Sequence, residues 1–279
     1  MNDSTISLDL VADHNGQSAM ELLCTASGLS KQRIKDAMNK GAVWWTRKGK
    51  TLRLRRATQL LDKGVKLQLF YNPQLLALKP SAPELLSDQR RYSVWYKPHG
   101  LMSQGSQWGD HCSLLRWVEV NGQPRREVYL VHRLDADAAG IMLVAHDPQS
   151  AAKLSQLFQS RDIRKHYQAR VTGELAVGSS LSIDQPLDGK SAITHLTCLG
   201  YDPETRISLL DIRIETGRKH QIRRHLADQG FAIVGDRLYG KASAEPLQLL
   251  AYRLTFSCPF SQQLIDIQLP DDKHFSLSS

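Results

Sequence analysis

The chain has few cysteines and no long apolar run. Its four cysteines are scattered along 279 residues, and none forms a Cys-x-x-Cys pair. The sequence therefore predicts reduced, mostly buried thiols, and it indicates neither a zinc site nor a disulfide framework. No apolar run approaches the length of a membrane span, and the N-terminus lacks the basic start and apolar core of a secretion signal. We expect a cytoplasmic protein that does not bind membranes.

Several catalytic motifs are also missing. There is no Gly-x-x-x-x-Gly-Lys-Ser/Thr phosphate loop, no dinucleotide fingerprint and no His-Glu-x-x-His metal motif. His220 and His225 are five residues apart, which disfavours a metal site. We expect chemistry that uses neither a metal nor an organic cofactor.

Positive charge is concentrated near the N-terminus. The net charge is +8, and residues 31–66 hold 12 Lys/Arg against 2 Asp/Glu, so this stretch carries +10 and the remaining residues are near −2. Such a distribution is typical of a nucleic-acid-binding module. The alternative is a solubilising or disordered basic segment, although apolar residues are interleaved with the charges. The candidate RNA contacts in this stretch are Lys31, Arg33, Lys35, Arg47 and Lys48.

Apolar periodicity predicts a small α/β domain at the N-terminus. Residues 1–16 show little periodicity and are expected to be a loose lead-in. Two short helices follow, over 18–29 and from the N-cap Ser30 to Gly41. Strands are predicted at 42–45 and 65–71. The pair Trp44-Trp45 either stacks on RNA bases or packs in the core.

The second part of the chain has the pattern of an α+β domain. A stretch rich in proline and small polar residues separates it from the first part and indicates a linker. We therefore predict a first domain over 1–76, a linker over 77–91 and a second domain over 92–279. Strand-like segments in this second domain outnumber helical ones and do not alternate strictly with them, which favours α+β over a doubly wound fold.

The most informative stretch is residues 131–140, Val-His-Arg-Leu-Asp-Ala-Asp-Ala-Ala-Gly. It places the carboxylate of Asp135 between an Arg-Leu step and a run of very small residues, and an apolar segment over 141–145 follows at once. Small residues leave space for a ligand to approach closely, and an apolar wall would strengthen the effect of the charge. The alternative is a surface turn that leads into a buried strand.

Two later segments strengthen the functional interpretation. Residues 164–173 are predicted to form a strand that carries Lys165 and Tyr167 among other basic residues. Residues 215–226 place four cationic side chains around a turn and the start of a helix. Such a cluster is suited to binding phosphate or carboxylate groups.

Together these segments resemble the RluA-type pseudouridine synthases, which isomerise uridine to pseudouridine in RNA. Of the family's His-Arg-Leu-Asp-x-x-Thr-Ser-Gly signature, the chain keeps 132–135 and Gly140, whereas Ala138 and Ala139 replace Thr and Ser. The remaining family motifs occur in order across about two thirds of the chain: Lys-Pro-x-Gly at 97–100, Lys-x-Tyr at 165–167, Gly-Arg-x-His-Gln-Ile-Arg at 217–223 and Gly-Asp-x-x-Tyr-Gly at 235–240. The N-terminal domain resembles the S-four-like RNA-binding module, without its usual Val-x-Val-Asn-Gly hairpin.

The resemblance implies a fold and a set of roles. The fold would be a mixed, mostly antiparallel sheet with an RNA cleft. Asp135 would be the nucleophile or proton acceptor, by a chemical route that the sequence leaves open. Tyr167 would stack on the uracil and could take part in proton transfer, and the guanidinium fork of Arg223 would grip both oxygens of Asp135. The remaining expected RNA contacts are His132, Arg133, Lys165, Arg218 and Arg224.

We therefore expect an RNA pseudouridine synthase that acts as a monomer and binds RNA. The extra N-terminal module favours large-subunit ribosomal RNA, and transfer RNA is the second candidate. The alternative from another class is a non-catalytic RNA-binding or ribosome-assembly protein that has kept the fold. The replacement of Thr and Ser by Ala138 and Ala139 leaves Asp135, Tyr167 and Arg223 in place, so we expect catalysis.

Overall fold

The computed structural model describes residues 4–241 and 243–277, and the chain divides into two units. The first unit contains the residues up to Pro80 together with Gln104–Gly122. The second contains Ser81–Ser103 and the residues from Gln123 onward. This division differs from the predicted boundaries, because a segment of the predicted second domain belongs to the first unit.

The described residues form short strands and helices. No helix among them is long and apolar enough to cross a membrane. The strands are β1 Ile6–Val11, β2 Gln17–Ser18, β3 Val43–Arg47, β4 Lys50–Arg53, β5 Leu60–Leu61, β6 Lys66–Tyr71, β7 Glu84–Asp88, β8 Tyr92–Lys97, β9 Tyr129–Leu130, β10 Ala139–Ala145, β11 Ile163–Thr172, β12 Ser180–Asp184, β13 Ile193–Asp202, β14 Ile207–Ile214, β15 Leu249–Ser257 and β16 Leu264–Gln268. The α-helices are α1 Ala19–Ser27, α2 Lys31–Asn39, α3 Pro73–Ala77, α4 Leu114–Asn121, α5 Pro148–Ser160 and α6 Gln221–Asp228.

The first unit packs two helices against a small antiparallel sheet. The sheet has the order β1-β6-β3-β4, and the Ser18 and Ser30 side chains cap α1 and α2 by accepting bonds from backbone N–H groups. The expectation of a loose lead-in is wrong for β1. Its residues alternate between partly buried and exposed, as a half-buried strand requires, and it pairs with β6 along its whole length.

The segment Gln104–Gly122 is tied to the first unit by buried charges. Asp110 forms an ion pair with Arg53, at 3.0 Å from Nε, and accepts a hydrogen bond from Arg55. The Trp44 indole donates to the carbonyl of Gln107 at 2.9 Å, and the Arg53 guanidinium lies 4.1 Å from the centre of the Trp44 ring. The contacts of Asp110 and Gln107 join residues more than 50 positions apart, so no local pattern in the sequence could indicate them. Trp44 therefore packs within its own unit.

The second unit is built on a mixed, mostly antiparallel sheet, as expected. Its described strands follow the order β12-β13-β14-β11-β15-β10-β8-β7. In addition, β9 pairs with β10 and β16 pairs with β15. Only the β10–β15 pairing is parallel among the described strand pairs of this sheet. All seven residues of β10 are buried, which explains its unbroken apolar sequence. Gly140 has φ +129°, and a Cβ there would lie 2.3 Å from the carbonyl oxygen of Ala251.

The predicted linker is partly structured. Residues 84–88 form β7, which pairs with β8 at the edge of the large sheet. The prolines and small polar residues of this stretch favour a linker by composition, but an edge strand also tolerates them because it needs partners on one side only. The prediction of a linker over 77–91 is therefore wrong for 84–88.

Candidate active site

The loop between β9 and β10 holds Asp135 by its backbone. The buried Ser103 hydroxyl donates to the carbonyl of Leu134 at 2.7 Å and accepts from its N–H at 3.0 Å. The Ala138 N–H donates to the carbonyl of Asp135 at 3.2 Å, and this bond closes a tight turn after the carboxylate. Ala138 and Ala139 are both buried, so a hydroxyl at either position would need a partner inside the protein.

A buried lysine fastens the same loop. Lys97 lies at the end of β8 and is fully buried. Burial lowers the pKa of Lys97 to about 7, and Asp135 and Asp137 partly oppose this effect. Its ammonium donates to four backbone carbonyls, those of Pro98 at 3.1 Å, Leu101 at 2.8 Å, Ala136 at 3.1 Å and Ala138 at 2.5 Å.

Lys97 was not among the predicted site residues. The Lys-Pro-x-Gly turn was the available signal, because it matched a family element without suggesting what its lysine contacts. The structure shows that one side chain joins the turn after β8 to the turn after Asp135. The position of the carboxylate therefore depends on Lys97.

Arg223 connects Asp135 to a second carboxylate. Its Nη1 donates to Asp135 Oδ2 at 3.2 Å, whereas Nε and Nη2 donate to the two oxygens of Asp236 at 2.8 Å each. The prediction that the fork grips both oxygens of Asp135 is therefore wrong in detail. The fork binds Asp236, and Asp135 receives one of the remaining N–H groups. Because Asp236 also accepts the N–H groups of Leu238 and Tyr239, it is the group that fixes the guanidinium.

The charges of Arg223, Asp236 and Asp135 stabilise one another. Arg223 and Asp236 are almost completely buried, while the side chain of Asp135 is 26% exposed. Burial opposes the charge of Arg223, but its hydrogen bonds with Asp236 and Asp135 outweigh burial and raise its pKa. Burial likewise opposes ionisation of Asp236, and the bonds from Arg223, Leu238 and Tyr239 lower its pKa overall. The arrangement leaves one carboxylate partly open to a ligand.

His220 lies at the site although it was not among the predicted site residues. It precedes α6 in the left-handed region, with φ 54°, and its Nε2 lies 3.8 Å from Asp135 Oδ1. Its Nδ1 is hydrogen-bonded to the Tyr239 hydroxyl at 2.9 Å. Burial lowers the pKa of His220, and Asp135 opposes that effect. The match to the family segment 217–223 was the only signal for this histidine.

The loop before α6 is ordered by Gln221. The Gln221 side-chain oxygen accepts from the Thr216 hydroxyl at 2.7 Å and from the Arg218 N–H at 3.0 Å. Its amide nitrogen donates to the carbonyl of Ile193 at 3.0 Å. These bonds hold the segment that carries Arg218 against β13, so the cationic cluster predicted over 215–226 starts from a rigid turn.

Tyr167 and Asp135 line one small pocket. The pocket has a volume of about 100 Å³, and Arg223, His220 and Leu249 also contribute to its wall. Tyr167 lies on β11 and is buried, and burial together with the Asp135 charge raises the pKa of its hydroxyl well above the usual range. The hydroxyl therefore keeps its proton at neutral pH. We call this space the Asp135 pocket.

A larger cavity adjoins the Asp135 pocket. It has a volume of about 600 Å³ and shares Arg133, Tyr167, Gly217 and Arg218 with the smaller pocket. His132 lines it and is stacked on Phe158, with 4.1 Å between the ring centres. Burial and the nearby Lys165 lower the pKa of His132 to about 3, so the imidazole is neutral. We call this space the flanking cavity.

The structure brings together only some of the predicted RNA contacts. Arg133, Lys165 and Arg218 line the flanking cavity with His132. Arg224 instead forms an ion pair with Asp188 at 3.0 Å. The other predicted RNA contacts belong to the first unit. They are Lys31, Arg33 and Lys35 on α2, Arg47 at the end of β3, and Lys48 in the following turn. Their roles stay predictions.

Sequence and structure comparisons identify the family. The family model described as RNA pseudouridylate synthase matches residues 91–228. A Helicobacter pylori protein named "Uncharacterized RNA pseudouridine synthase" is 30% identical over 206 residues, which cover 67% of this chain and 68% of that protein. The chain belongs to the RNA pseudouridine synthases of the RluA type. A Nitrosomonas europaea synthase, "Ribosomal large subunit pseudouridine synthase D", is 31% identical over 63% of this chain and 59% of its own length.

The fold of the synthase agrees with this assignment. The solved structure "Human RNA Pseudouridylate Synthase Domain Containing 1" superposes with a TM-score of 0.58 at 20% identity, over 70% of this chain and 86% of that one. The expected family, fold class and isomerase activity are therefore confirmed. The resemblance of the first unit to an S-four-like module stays a prediction. Among the described residues, no cluster of His, Cys, Asp or Glu could hold a metal ion.

Proposed function

We propose that this synthase isomerises uridines in large-subunit ribosomal RNA and that Asp135 carries the reaction. The observation that supports the catalytic assignment most strongly is the partly open carboxylate of Asp135, held 3.2 Å from a buried guanidinium in a pocket that also contains Tyr167. Three of the first relatives, among them the Nitrosomonas europaea protein, are named as large-subunit synthases. Their name supports the choice of RNA.

The geometry suits the bond changes of the reaction. Isomerisation breaks the C–N glycosidic bond, turns the uracil and forms a C–C bond. C5 loses a proton in this reaction, and the freed N1 takes one up. The reaction needs no net oxidation, so a single ionised carboxylate can serve as nucleophile or proton acceptor. Arg223 pairs directly with the Asp135 carboxylate through one hydrogen bond of 3.2 Å. Tyr167, with its proton retained, offers a ring against the uracil and a hydroxyl near the reacting atoms.

The cationic residues are placed to hold a nucleotide that has left its stack. A uridine in a stem must leave its stack, at a cost of a few kcal/mol. Arg133 is exposed and lines both the Asp135 pocket and the flanking cavity, so it is placed to hold the nucleotide as it turns out. Phosphate contacts by the basic first unit would offset the remaining cost. We further propose a cytoplasmic location, because four free thiols are typical of a reducing compartment.

The substrate assignment and the role of Asp135 are tested by one experiment. Large-subunit ribosomal RNA transcribed with 5-tritiated uridine is incubated with the wild-type protein and with Asp135→Asn. We expect the wild type to release tritium and Asp135→Asn to release none, because the amide can act neither as nucleophile nor as base. Binding of the same RNA by the variant should stay within about twofold of wild type, since neutralising one carboxylate adds no phosphate repulsion.

The outcomes separate the alternatives. Tritium release by the wild type from a pool of transfer RNA but not from ribosomal RNA would transfer the substrate assignment to transfer RNA. Tight binding without release by the wild type would indicate a binding protein that has kept the fold. Full activity of Asp135→Asn would refute the catalytic assignment.

A further inference from the structure

The flanking cavity contains a buried cation that has no partner. Lys165 on β11 is 6% exposed, and its side chain lines the cavity. Among the described residues, none accepts a hydrogen bond from its ammonium, in contrast to the four carbonyls that surround Lys97. The ammonium opens onto the cavity, so a ligand there can supply the hydrogen-bond acceptor that the protein does not.

The charges around Lys165 favour an anionic ligand. Arg133, Arg161 and Arg218 line the same cavity. The carboxylate that lines it is that of Glu215, and this group is already bonded to His195 at 2.8 Å, with Arg213 at 3.8 Å. His132 is neutral and adds no charge. The cavity therefore has an excess of positive charge that no side chain of the second unit neutralises within the described residues.

The position of the cavity identifies the anion. It shares a wall with the Asp135 pocket, formed by Arg133, Tyr167 and Gly217 among others. The Asp135 pocket is about 100 Å³ and has no room for a second nucleotide, whereas the flanking cavity is about 600 Å³, within the range of small-molecule sites. A strand that delivers a uridine to Asp135 must place an adjoining nucleotide beside this wall.

We propose that the flanking cavity binds the nucleotide next to the target uridine, with its phosphate on Lys165. Arg161 and Arg218 stand beside Lys165 as additional phosphate donors. Phosphate contacts carry no base information, so this subsite contributes affinity without strong sequence preference. The inference rests on the proposed placement of the uridine at Asp135.

The test compares Lys165→Met with the wild type on the tritiated ribosomal RNA. We expect Lys165→Met to raise KM about tenfold, the effect of one charge-assisted hydrogen bond, and to leave the greater part of kcat. The slope of log KM against log salt should fall by about 0.7, the value for one single-strand phosphate contact. The matched control is Lys153→Met, an exposed lysine of α5 that lines neither cavity, and it should match the wild type.

Stability distinguishes this role from a structural one. Removal of a buried, unpaired charge should leave the thermal midpoint of Lys165→Met unchanged or raised. A structural lysine would lower it. A lowered midpoint, an unchanged KM, or an unchanged salt slope would each overturn the proposal.

The pH dependence of KM provides an independent readout. Burial, with a contribution from Arg161, lowers the pKa of Lys165 to about 8. KM of the wild type should therefore rise above pH 8 as the ammonium loses its proton and phosphate binding weakens. Lys165→Arg, which stays charged, should keep KM constant over this range. Equal pH dependence of the two proteins would contradict the assignment.

The two proposals fail in different ways. If Asp135→Asn retains full tritium release, the placement of the uridine is wrong and the flanking cavity loses its basis. If Asp135→Asn is inactive while Lys165→Met behaves as wild type, the flanking cavity alone is wrong.

Discussion

Asp236 governs the candidate site although it does not face the ligand. It occupies the fork of Arg223 and accepts two backbone N–H groups, so the guanidinium is fixed before it reaches Asp135. A buried pair of this kind is destabilised strongly when one partner is removed. The residue that positions the charge is therefore as important for the site as the residue that bears it.

We predict that Asp236→Asn lowers both stability and activity. The free energy of unfolding should fall by about 3 kcal/mol, because Arg223 keeps a buried charge without its main partner. kcat should fall at least tenfold as the guanidinium loses its orientation. Denaturant unfolding and tritium release measure the two effects. The control Asp266→Asn removes an exposed pair with Arg253 and should cost less than about 1 kcal/mol.

The stability difference between the wild type and Asp236→Asn should depend on pH in one direction. The pKa of Asp236 is lowered on folding, so its contribution is present above the unfolded value of about 3.9 and is lost as the pH falls through the folded pKa. The difference should therefore be constant near neutrality and shrink in acid. A difference that grows in acid would contradict the pairing.

Two turns and two strands act together to place the loop that carries Asp135. Lys97 at the end of β8 binds carbonyls of its own turn and of the turn that precedes β10. Gly140 then allows β10 to approach β15 where any Cβ would collide with Ala251. The apolar run of β10 and the motif residues were visible in the sequence, but the bonds between the turns were not, because they join residues about 40 positions apart.

We predict that Lys97→Met destabilises the synthase and inactivates it. Four buried carbonyls would lose their donor, and the free energy of unfolding should fall by about 3 kcal/mol. Activity should fall by more than the unfolded fraction explains, because Asp135 lies in the released loop. Circular dichroism in urea and tritium release at low temperature separate these effects.

The matched control for Lys97→Met is Lys273→Met, which loses a partly exposed ion pair with Glu84. It should cost less than about 1 kcal/mol and keep full activity. Equal losses in the two variants would show that the carbonyl cluster has no special role.

In the molecule as a whole, the excess positive charge and the candidate site belong to different units. The positive excess lies in 31–66, whereas the candidate site lies in the second unit. The chain passes between the units more than once, since Gln104–Gly122 returns to the first. Deletion of the N-terminal residues would therefore expose Asp110 without Arg53 and Arg55, so charge removal is a cleaner test than truncation.

We predict that the triple variant Lys31→Gln, Lys35→Gln and Lys48→Gln weakens RNA binding without changing kcat. All three side chains are exposed, so the fold should be unaffected. The slope of log affinity against log salt should fall by up to about 2, at roughly 0.7 per lost phosphate contact. Filter binding across a salt series measures it.

The control for the triple variant neutralises an equal number of exposed cations in the second unit, Arg90, Lys153 and Arg206, none of which lines the described cavities. Its salt slope should match the wild type. An equal reduction in both variants would mean that net charge alone, and not the surface of the first unit, attracts the RNA.

The family and the fold class were determined by the sequence alone, and the motifs predicted Asp135, Tyr167 and Arg223 as site residues. Short motifs and the alternation of apolar residues indicate these features, and both signals involve residues that are close together in the sequence. The tertiary structure decided that Asp236 rather than Asp135 occupies the arginine fork, that Lys97 fastens the loop, and that Gln104–Gly122 belongs to the first unit. Such pairings depend on which buried charges meet after the chain has folded, and no local pattern carries that information.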